Sequence, residues 1–169
     1  FVYTSSTAAL GDFRHGMHED MISRPIDFYC ATKRATELFL LGLSYKSEMR
    51  CNIIRPGYFF GKPARKDGRF HRDNIFEKIA HSAKYNKPIE IIDRMGTQYL
   101  CVKDLARVFT AVLYSDKNRE IYFALGKPWY GDELIAKKAI EIAGSKSKII
   151  HLPNPDTGRP KLFTLDKIK

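Results

Sequence analysis

Two side chains near the start of the chain have the types and spacing needed to move a proton. Tyr29 and Lys33 are four residues apart, and side chains at that spacing are neighbours on one face of a helix. A phenol is a poor acid or base near neutrality because its unperturbed pKa is about 10, and a neighbouring ammonium group favours the phenolate. With a Ser hydroxyl to hold a substrate oxygen, such a pair could take the proton from a carbinol while a hydride leaves. The run Thr4-Ser5-Ser6-Thr7 upstream contains such hydroxyls.

The spacing alone is not specific, because about one Tyr-x-x-x-Lys pair is expected by chance in a chain of this composition. Two further pairs begin at Tyr58 and Tyr99. The pair at Tyr58 contains a Gly and runs into a Pro, which does not suit a helix. The pair at Tyr99 lies on an apolar run that predicts a strand, where its side chains would be about 13 Å apart. Only Tyr29 opens a strong helical pattern.

Strand-like and helix-like patterns alternate along the chain, which predicts βα units and a parallel sheet. The predicted strands are residues 2–4, 51–55, 89–92, 99–102 and 121–125. The predicted helices are residues 29–44, 74–85, 104–113 and 134–143, with Asp104 as a cap and Gly144 as a C-terminal stop. These patterns predict the α/β fold class.

The composition is that of a globular protein, with 44% apolar and 28% charged residues. No run of 18 apolar residues is present, so no transmembrane helix is predicted, and no secretory or lipidation signal is visible. Cys30, Cys51 and Cys101 are widely separated. They indicate reduced thiols of a cytoplasmic protein, and neither a disulfide framework nor a metal site is expected.

The formal charge of +10 has two interpretations. Basic clusters at residues 65–72 and at Lys137-Lys138 could suggest nucleic acid, but no recognition motif accompanies them. Aromatic residues are not interleaved with the basic ones, as a single-strand platform would require. We therefore expect no nucleic-acid partner, and a phosphate-bearing cofactor or substrate explains the charge more simply.

Several motifs follow one another in a recognisable order. They are Phe1-Val2-Tyr3-Thr4-Ser5-Ser6 followed by Gly11, Glu19-Asp20 and Pro25 ahead of Tyr29-Cys30-Ala31-Thr32-Lys33, the run from Ile53 to Pro63, and Val102-Lys103-Asp104-Leu105-Ala106. In these motifs the chain resembles the extended short-chain dehydrogenase/reductase family, in its branch of NAD-dependent nucleotide-sugar epimerases and dehydratases. The resemblance runs over nearly the whole chain.

The resemblance implies a Rossmann-type doubly wound parallel sheet and a small α/β substrate-binding domain. Members of the family begin with a strand, a Gly-x-x-Gly-x-x-Gly turn and a helix that takes the cofactor pyrophosphate. The eleven glycines never form that pattern, so we expect the C-terminal part of a longer enzyme. Residues 1–63 would belong to the NAD(P)-binding domain and residues 64–169 mostly to the substrate-binding region, with 104–125 returning to the Rossmann domain.

The resemblance also assigns catalytic and cofactor-binding roles. Ser6 would hydrogen-bond the substrate oxygen, with Ser5 as its rival, and Tyr29 would be the general acid/base. Lys33 would assist Tyr29 and bond the nicotinamide ribose of NAD or NADP. Pro56-Gly57 would lie against the nicotinamide ring, while Arg55, just before them, is expected to be structural.

The substrate-binding residues depart from the family pattern. Tyr58 stands where epimerases usually have Asn, and Asn74 resembles a residue that meets the substrate diphosphate, although a simple helix cap explains it equally well. The two Arg that grip the nucleotide phosphates align with Thr97 and Asp156, and Arg94 and Arg159 lie nearby. Residue for residue the phosphate grip is not reproduced, which weakens the case for a UDP- or dTDP-sugar.

Three functions remain open at this stage. The resemblance favours an epimerase or dehydrogenase, an isomerase or oxidoreductase that acts on a secondary alcohol of a sugar nucleotide. Dehydration is not expected, because Thr7-Ala8 replaces the Asp-Glu that dehydratases use to eliminate water. The first alternative is a ketone or aldehyde reductase of the hydroxysteroid-dehydrogenase type on a non-nucleotide substrate. The second is a non-catalytic member that senses the redox cofactor.

The helix that carries Tyr29 is apolar around most of its second half, as in a helix that is covered on more than one side. By resemblance we expect a homodimer formed through this helix.

Overall fold

The computed structural model describes residues 1–62, 75–154 and 161–167. The strands in these residues are β1 (Val2–Thr4), β2 (Asn52–Pro56), β3 (Phe59–Phe60), β4 (Ile89–Ile92), β5 (Gly96–Thr97), β6 (Leu100–Cys101), β7 (Ile121–Ala124), β8 (Tyr130–Gly131) and β9 (Ile149–Leu152). The helices are α1 (Phe28–Lys46), α2 (Ile75–Lys84), α3 (Val102–Tyr114) and α4 (Asp132–Ala143), preceded by a 3-10 helix over Thr7–Leu10. Within these ranges no helix has the length and apolar character needed to span a membrane.

The chain divides into two compact units. Unit 1 comprises Phe1–Phe59, Gln98–Lys127 and the described part of Lys161–Lys169. Unit 2 comprises the described parts of Phe60–Thr97 and Pro128–Pro160.

Unit 1 is built on a parallel sheet with the strand order β1-β2-β7. Every residue of β2 is buried, as expected of the central strand of a parallel sheet. Two apolar clusters hold this unit together. One consists of Ile54, Leu105, Val112 and Ala124, and the other of Leu10, Met17, Phe123, Leu125 and Phe163.

Unit 2 pairs β4 in parallel with β9 and β5 in antiparallel with β8. Its core contains Ile79, Ala83, Ile89, Ile91 and Ala136, which belong to α2, β4 and α4. Helix α4 ends at Gly144, whose left-handed backbone (φ 59°) lets its N–H bond the carbonyl of Glu141. The predicted strand 89–92 and the predicted stop at Gly144 are both confirmed.

The sequence prediction was wrong at the start of α3. The predicted strand 99–102 is only the two residues of β6, and the helix already begins at Val102. Asp104 does not cap this helix, because the N-cap position is Cys101 and no side chain bonds there. Asp104 instead lies in the first turn, where a negative charge is favourable, and accepts a hydrogen bond from Arg107.

Candidate active site

Helix α1 begins at a side-chain cap that places Tyr29 in its first turn. The Oδ1 atom of Asp27 accepts a hydrogen bond from the backbone N–H of Cys30 at 2.7 Å. The same bond is the main reason why the pKa of Asp27 lies below its usual value. Tyr29 is 54% exposed, so its side chain is open to solvent.

Lys33 lies one turn along α1, on the same face as Tyr29. Its Nζ atom is 5.8 Å from the centroid of the Tyr29 ring and 5.3 Å from that of Tyr3. The same atom donates a hydrogen bond to the backbone carbonyl of Thr4 at 3.1 Å. The ammonium group therefore ties the Tyr29 helix to the carboxyl end of β1.

Ser6 directly follows that strand end and caps the 3-10 helix. Its Oγ atom accepts a hydrogen bond from the backbone N–H of Ala8 at 3.1 Å, and its side chain is half-buried. Since Ser6 is the acceptor in this bond, it retains its own O–H hydrogen for another partner. Gly11 ends the turn with a φ of 79°, and a side chain there would overlap the backbone of Arg24.

Ser5, the rival of Ser6, has a different environment. It is buried, and its Oγ atom donates a hydrogen bond to Oε1 of Glu37 at 2.5 Å. Glu37 itself has no exposed surface. The hydroxyl of Ser5 is therefore engaged inside the protein, whereas Ser6 lies nearer the surface.

Glu37 is also the partner of Arg55, and the sequence reading did not single it out. Nε of Arg55 donates to Oε1 at 2.8 Å and Nη2 donates to Oε2 at 2.7 Å, while Arg34 adds a third bond to Oε2 at 3.0 Å. Burial raises the pKa of Glu37, but Arg55, Ser5 and Arg34 lower it by more, so the pKa lies below its usual value. Arg55 is thus a buried structural residue, as expected.

A signal for Glu37 was present in the sequence. It is the one acidic residue of α1, and it lies four residues after Lys33 and eight after Tyr29, which puts all three on one stripe of the helix. Glu19 is a second buried carboxylate, and the sequence analysis did not predict its structural role. Its side chain accepts a bond from the backbone N–H of Phe123, and its carbonyl accepts one from Nη1 of Arg55.

Pro56 is the last residue of β2, the strand next to β1, and Gly57 follows it directly. The backbone N–H of Gly57 donates to the carbonyl of Ala124 at 3.2 Å. A side chain at Gly57 would overlap Leu125, so close packing requires glycine here. Tyr58 is 70% exposed, and its ring packs edge-on against Tyr99 at 6.4 Å between centroids.

The remaining positions that the sequence analysis related to substrate binding do not belong to the described part of unit 1. Arg94 and Thr97 belong to unit 2, where Arg94 is exposed with a left-handed backbone (φ 56°). Asn74, Asp156 and Arg159 lie outside the described residues. Arg94 lines a surface depression of about 480 Å³ within unit 2, together with Asp93, Met95, Trp129, Glu133 and His151.

Two of the three cysteines are buried in unit 1. Cys30 and Cys51 are buried free thiols whose pKa values burial raises, which makes their reactive thiolate forms less accessible. In residues 1–62, 75–154 and 161–167, no group of three His, Cys, Asp or Glu side chains is placed to hold a metal ion.

The family model of the NAD dependent epimerase/dehydratase family matches residues 1–124, the segment that contains every side chain described for unit 1 near Tyr29. The chain belongs to the NAD-dependent epimerase/dehydratase family. Helix α1 and the strand ends that surround Lys33 all fall within the matched segment. A comparison with curated proteins found no match.

Solved structures support the same fold for this family member. UDP-glucuronic acid 4-epimerase from Bacillus cereus in complex with NAD matches with a TM-score of 0.79 and 21% identity, over 98% of this chain and 52% of the other. UDP-glucose 4-epimerase from Thermotoga maritima with UDP-glucose matches with 0.77 and 18%, over 98% and 54%. RMD from Pseudomonas aeruginosa complexed with NADPH matches with 0.75 and 21%, over 90% and 54%.

These likenesses show that the α/β fold with its parallel strands matches part of the epimerase Rossmann fold. The family member described here spans about half the length of those structures.

The residues at this edge of unit 1 have groups that suit the ribose end of a nicotinamide dinucleotide. In open parallel sheets, ligands bind outside the carboxyl ends of the strands, and Lys33, Ser6 and Gly57 all lie at the carboxyl ends of the adjacent strands β1 and β2. An ammonium group and a phenol can both hydrogen-bond a ribose hydroxyl. The space beside Gly57 where a side chain would lie is filled by Leu125, so Gly57 offers a ligand its backbone only.

Proposed function

We propose that the full-length protein containing this chain is an NAD(P)-dependent epimerase or dehydrogenase that acts on a secondary alcohol of a sugar nucleotide. The observation that carries the proposal is the placement of Tyr29 and Lys33 on one face of α1, with Lys33 bound to the carboxyl end of the strand that leads to Ser6. Family membership supplies the independent support.

In this proposal each side chain has one task. Ser6 donates its O–H hydrogen to the substrate oxygen and holds it near Tyr29. Tyr29 accepts the proton of the carbinol hydroxyl when the alcohol is oxidised, and it returns a proton when a ketone is reduced. Lys33 places its ammonium group beside Tyr29, with Nζ 5.8 Å from the ring centroid. The nicotinamide, when bound, supplies the hydride chemistry at the carbinol carbon.

The residues proposed to hold the cofactor are Tyr29, Lys33, Pro56 and Gly57. The proposed division of labour assigns residues 1–63 and 104–125 to the NAD(P)-binding domain and the rest of 64–169 to substrate binding. Arg94 is proposed as a phosphate ligand from the substrate-binding part, because it is an exposed cation beside the depression in unit 2. Asn74 and Arg159 remain proposed on sequence alone.

A second function is favoured by Tyr58. Tyr58 directly follows Gly57, and its exposed ring packs against the ring of Tyr99. It offers an aromatic wall at the position where epimerases usually have the amide side chain of Asn. Pockets lined by aromatic side chains suit apolar ligands such as a ketone or aldehyde. The alternative is therefore a reductase that acts on a non-nucleotide substrate.

The test uses the full-length protein with NAD, NADP and their reduced forms, together with UDP- and dTDP-sugars and a panel of apolar ketones. Tyr29→Phe should lower kcat by about 10²–10⁴-fold. Tyr85→Phe is the matched control, because Tyr85 is 55% exposed and also has a Lys ammonium 5.5 Å from its ring centroid. Unchanged turnover in Tyr29→Phe would rule out the catalytic proposal.

Product analysis separates the two functions. An epimerase converts one sugar isomer into another with no net change in the cofactor. A reductase consumes one reduced cofactor for each alcohol formed.

A further inference from the structure

The buried carboxylate of Glu37 is linked to three segments of the candidate active site, those that contain Ser6, Pro56-Gly57 and Tyr29. Glu37 accepts a hydrogen bond from Ser5, the residue next to Ser6. It also pairs with Arg55, the residue next to Pro56-Gly57. Glu37 itself belongs to the helix that carries Tyr29.

We propose that Glu37, acting through Ser5, is a positioning residue that fixes the Ser6 hydroxyl relative to Tyr29. This inference rests on the proposed function of the site. It assigns no contact between Glu37 and substrate or cofactor.

The first step of the argument is the double attachment between α1 and the end of β1. Lys33 Nζ bonds the carbonyl of Thr4, and Glu37, one helical turn later, bonds the hydroxyl of Ser5. Two successive turns of the helix thus hold two successive residues of the strand end. Ser6 is the next residue, so these two bonds help to hold it relative to α1, while the Ser5 N–H holds the same segment to the carbonyl of Ile54 in β2.

The second step concerns the direction of the carboxylate. Both oxygens of Glu37 are held by the fork of Arg55, which in turn bonds the carbonyl of Glu19. Two parallel bonds fix a carboxylate in orientation as well as in position. The acceptor that Ser5 meets is therefore rigid, and a hydroxyl bonded to it has little freedom.

The third step is the sensitivity of catalysis to small displacements. A shift of about 1 Å in a positioned group can lower the rate by about 10²-fold. Loss of the Ser5 hydroxyl needs only to loosen the Ser5-Ser6 backbone for such a shift to occur. A purely structural hydroxyl would, when removed, lower stability and leave the rate per folded molecule unchanged.

The test is Ser5→Ala in the full-length protein, because this change removes the bond and leaves the Glu37–Arg55 pair intact. We expect kcat to fall by about 10–100-fold with KM within about twofold, since the lost interaction acts on the reacting geometry and not on substrate binding. Ser5→Thr keeps a hydroxyl on the same carbon and should restore most of the rate. Glu37→Gln is the second variant, read only if it folds.

Ser44→Ala is the matched control. Ser44 is a fully buried serine of α1 whose hydroxyl bonds the carbonyl of Leu41 and accepts from Arg119. Removing this hydroxyl also deletes a buried hydrogen bond near an arginine, but at the far end of the helix. It should leave kcat unchanged.

A second readout does not depend on turnover. Hydrogen exchange followed by mass spectrometry should show faster exchange of the backbone amides of residues 5–10 in Ser5→Ala, with α1 and β2 unchanged. Unchanged exchange there, together with unchanged kcat, would overturn the inference even if Tyr29→Phe abolishes activity. If Tyr29→Phe is fully active, the proposed function fails, and the exchange measurement alone decides whether Ser5 positions the loop.

Discussion

The guanidinium group of Arg55 and the carboxylate of Glu37 are joined by two hydrogen bonds in the interior of unit 1. The distances are 2.8 Å from Nε to Oε1 and 2.7 Å from Nη2 to Oε2, and the two side chains are 1% and 0% exposed. Burying a charge is costly unless it is paired and hydrogen-bonded, so each of these two side chains compensates the cost of burying the other. The pair joins α1 to the central strand of the sheet.

Removing Arg55 should therefore destabilise the protein strongly. Arg55→Ala leaves a buried carboxylate without its main partner, and we expect the free energy of unfolding to fall by about 3–5 kcal/mol. Arg107→Ala is the control, because Arg107 forms an exposed ion pair with Asp104 at a similar distance of 2.7 Å. That change should cost less than about 1 kcal/mol. Denaturant unfolding of both variants measures the difference, and equal losses would contradict the buried-pair account.

The lowered pKa of Glu37 predicts a loss of stability in acid. Burial alone would raise this pKa, but Arg55, Ser5 and Arg34 lower it below the value of about 4.3 found in unfolded chains. A carboxyl whose pKa is lower in the folded state stabilises the protein fully above the unfolded pKa, and loses that contribution as the pH falls through the folded pKa. The stabilisation should therefore be present at pH 5 and above and fade below about pH 4.

Urea unfolding between pH 3 and pH 7 checks this expectation. Glu37→Gln has no charge to lose at this position, so its stability should fall less steeply with acid than that of the unmodified protein. Parallel curves for the two proteins would show that the proton is taken up elsewhere.

Sequence patterns were sufficient for the elements whose ends have local causes. The predicted helix 29–44 lies within α1, and α4 ends at the predicted Gly144, whose signal lies at the boundary itself. The Asp27 cap of α1 is equally local, although it was not predicted. The start of α3 failed because Asp104 fits two positions, a cap or the first turn. In the structure Asp104 lies in the first turn, and the N-cap is Cys101, which makes no side-chain capping bond.

The candidate site was predictable only in part, for a related reason. The i, i+4 relation of Tyr29 and Lys33 is local and can be read from spacing. The partner of Glu37 lies 18 residues away in another element, and the bond to Ser5 spans 32 residues. No helical periodicity contains such pairings, since they depend on how β1, β2 and α1 pack.

The exposed apolar residues of α1 predict a homodimer. Leu38, Phe39 and Leu43 are 54%, 71% and 44% exposed, although a surface helix usually presents polar groups to water. In a symmetric dimer the same patch would occur on both subunits, so one substitution acts twice. Burying a large apolar side chain is worth about 1.5–3 kcal/mol, so Phe39→Glu should weaken association by at least about 100-fold.

Sedimentation velocity of the full-length protein over a range of concentrations tests this prediction. The unmodified protein should sediment as a dimer, and Phe39→Glu should sediment as a monomer that keeps the far-ultraviolet circular dichroism of the unmodified protein. Ile142→Glu is the control, because Ile142 is 77% exposed but lies on α4. A monomeric unmodified protein, or a Phe39→Glu variant that stays dimeric, would show that α1 is not the subunit interface, because the charge would then face water at no cost.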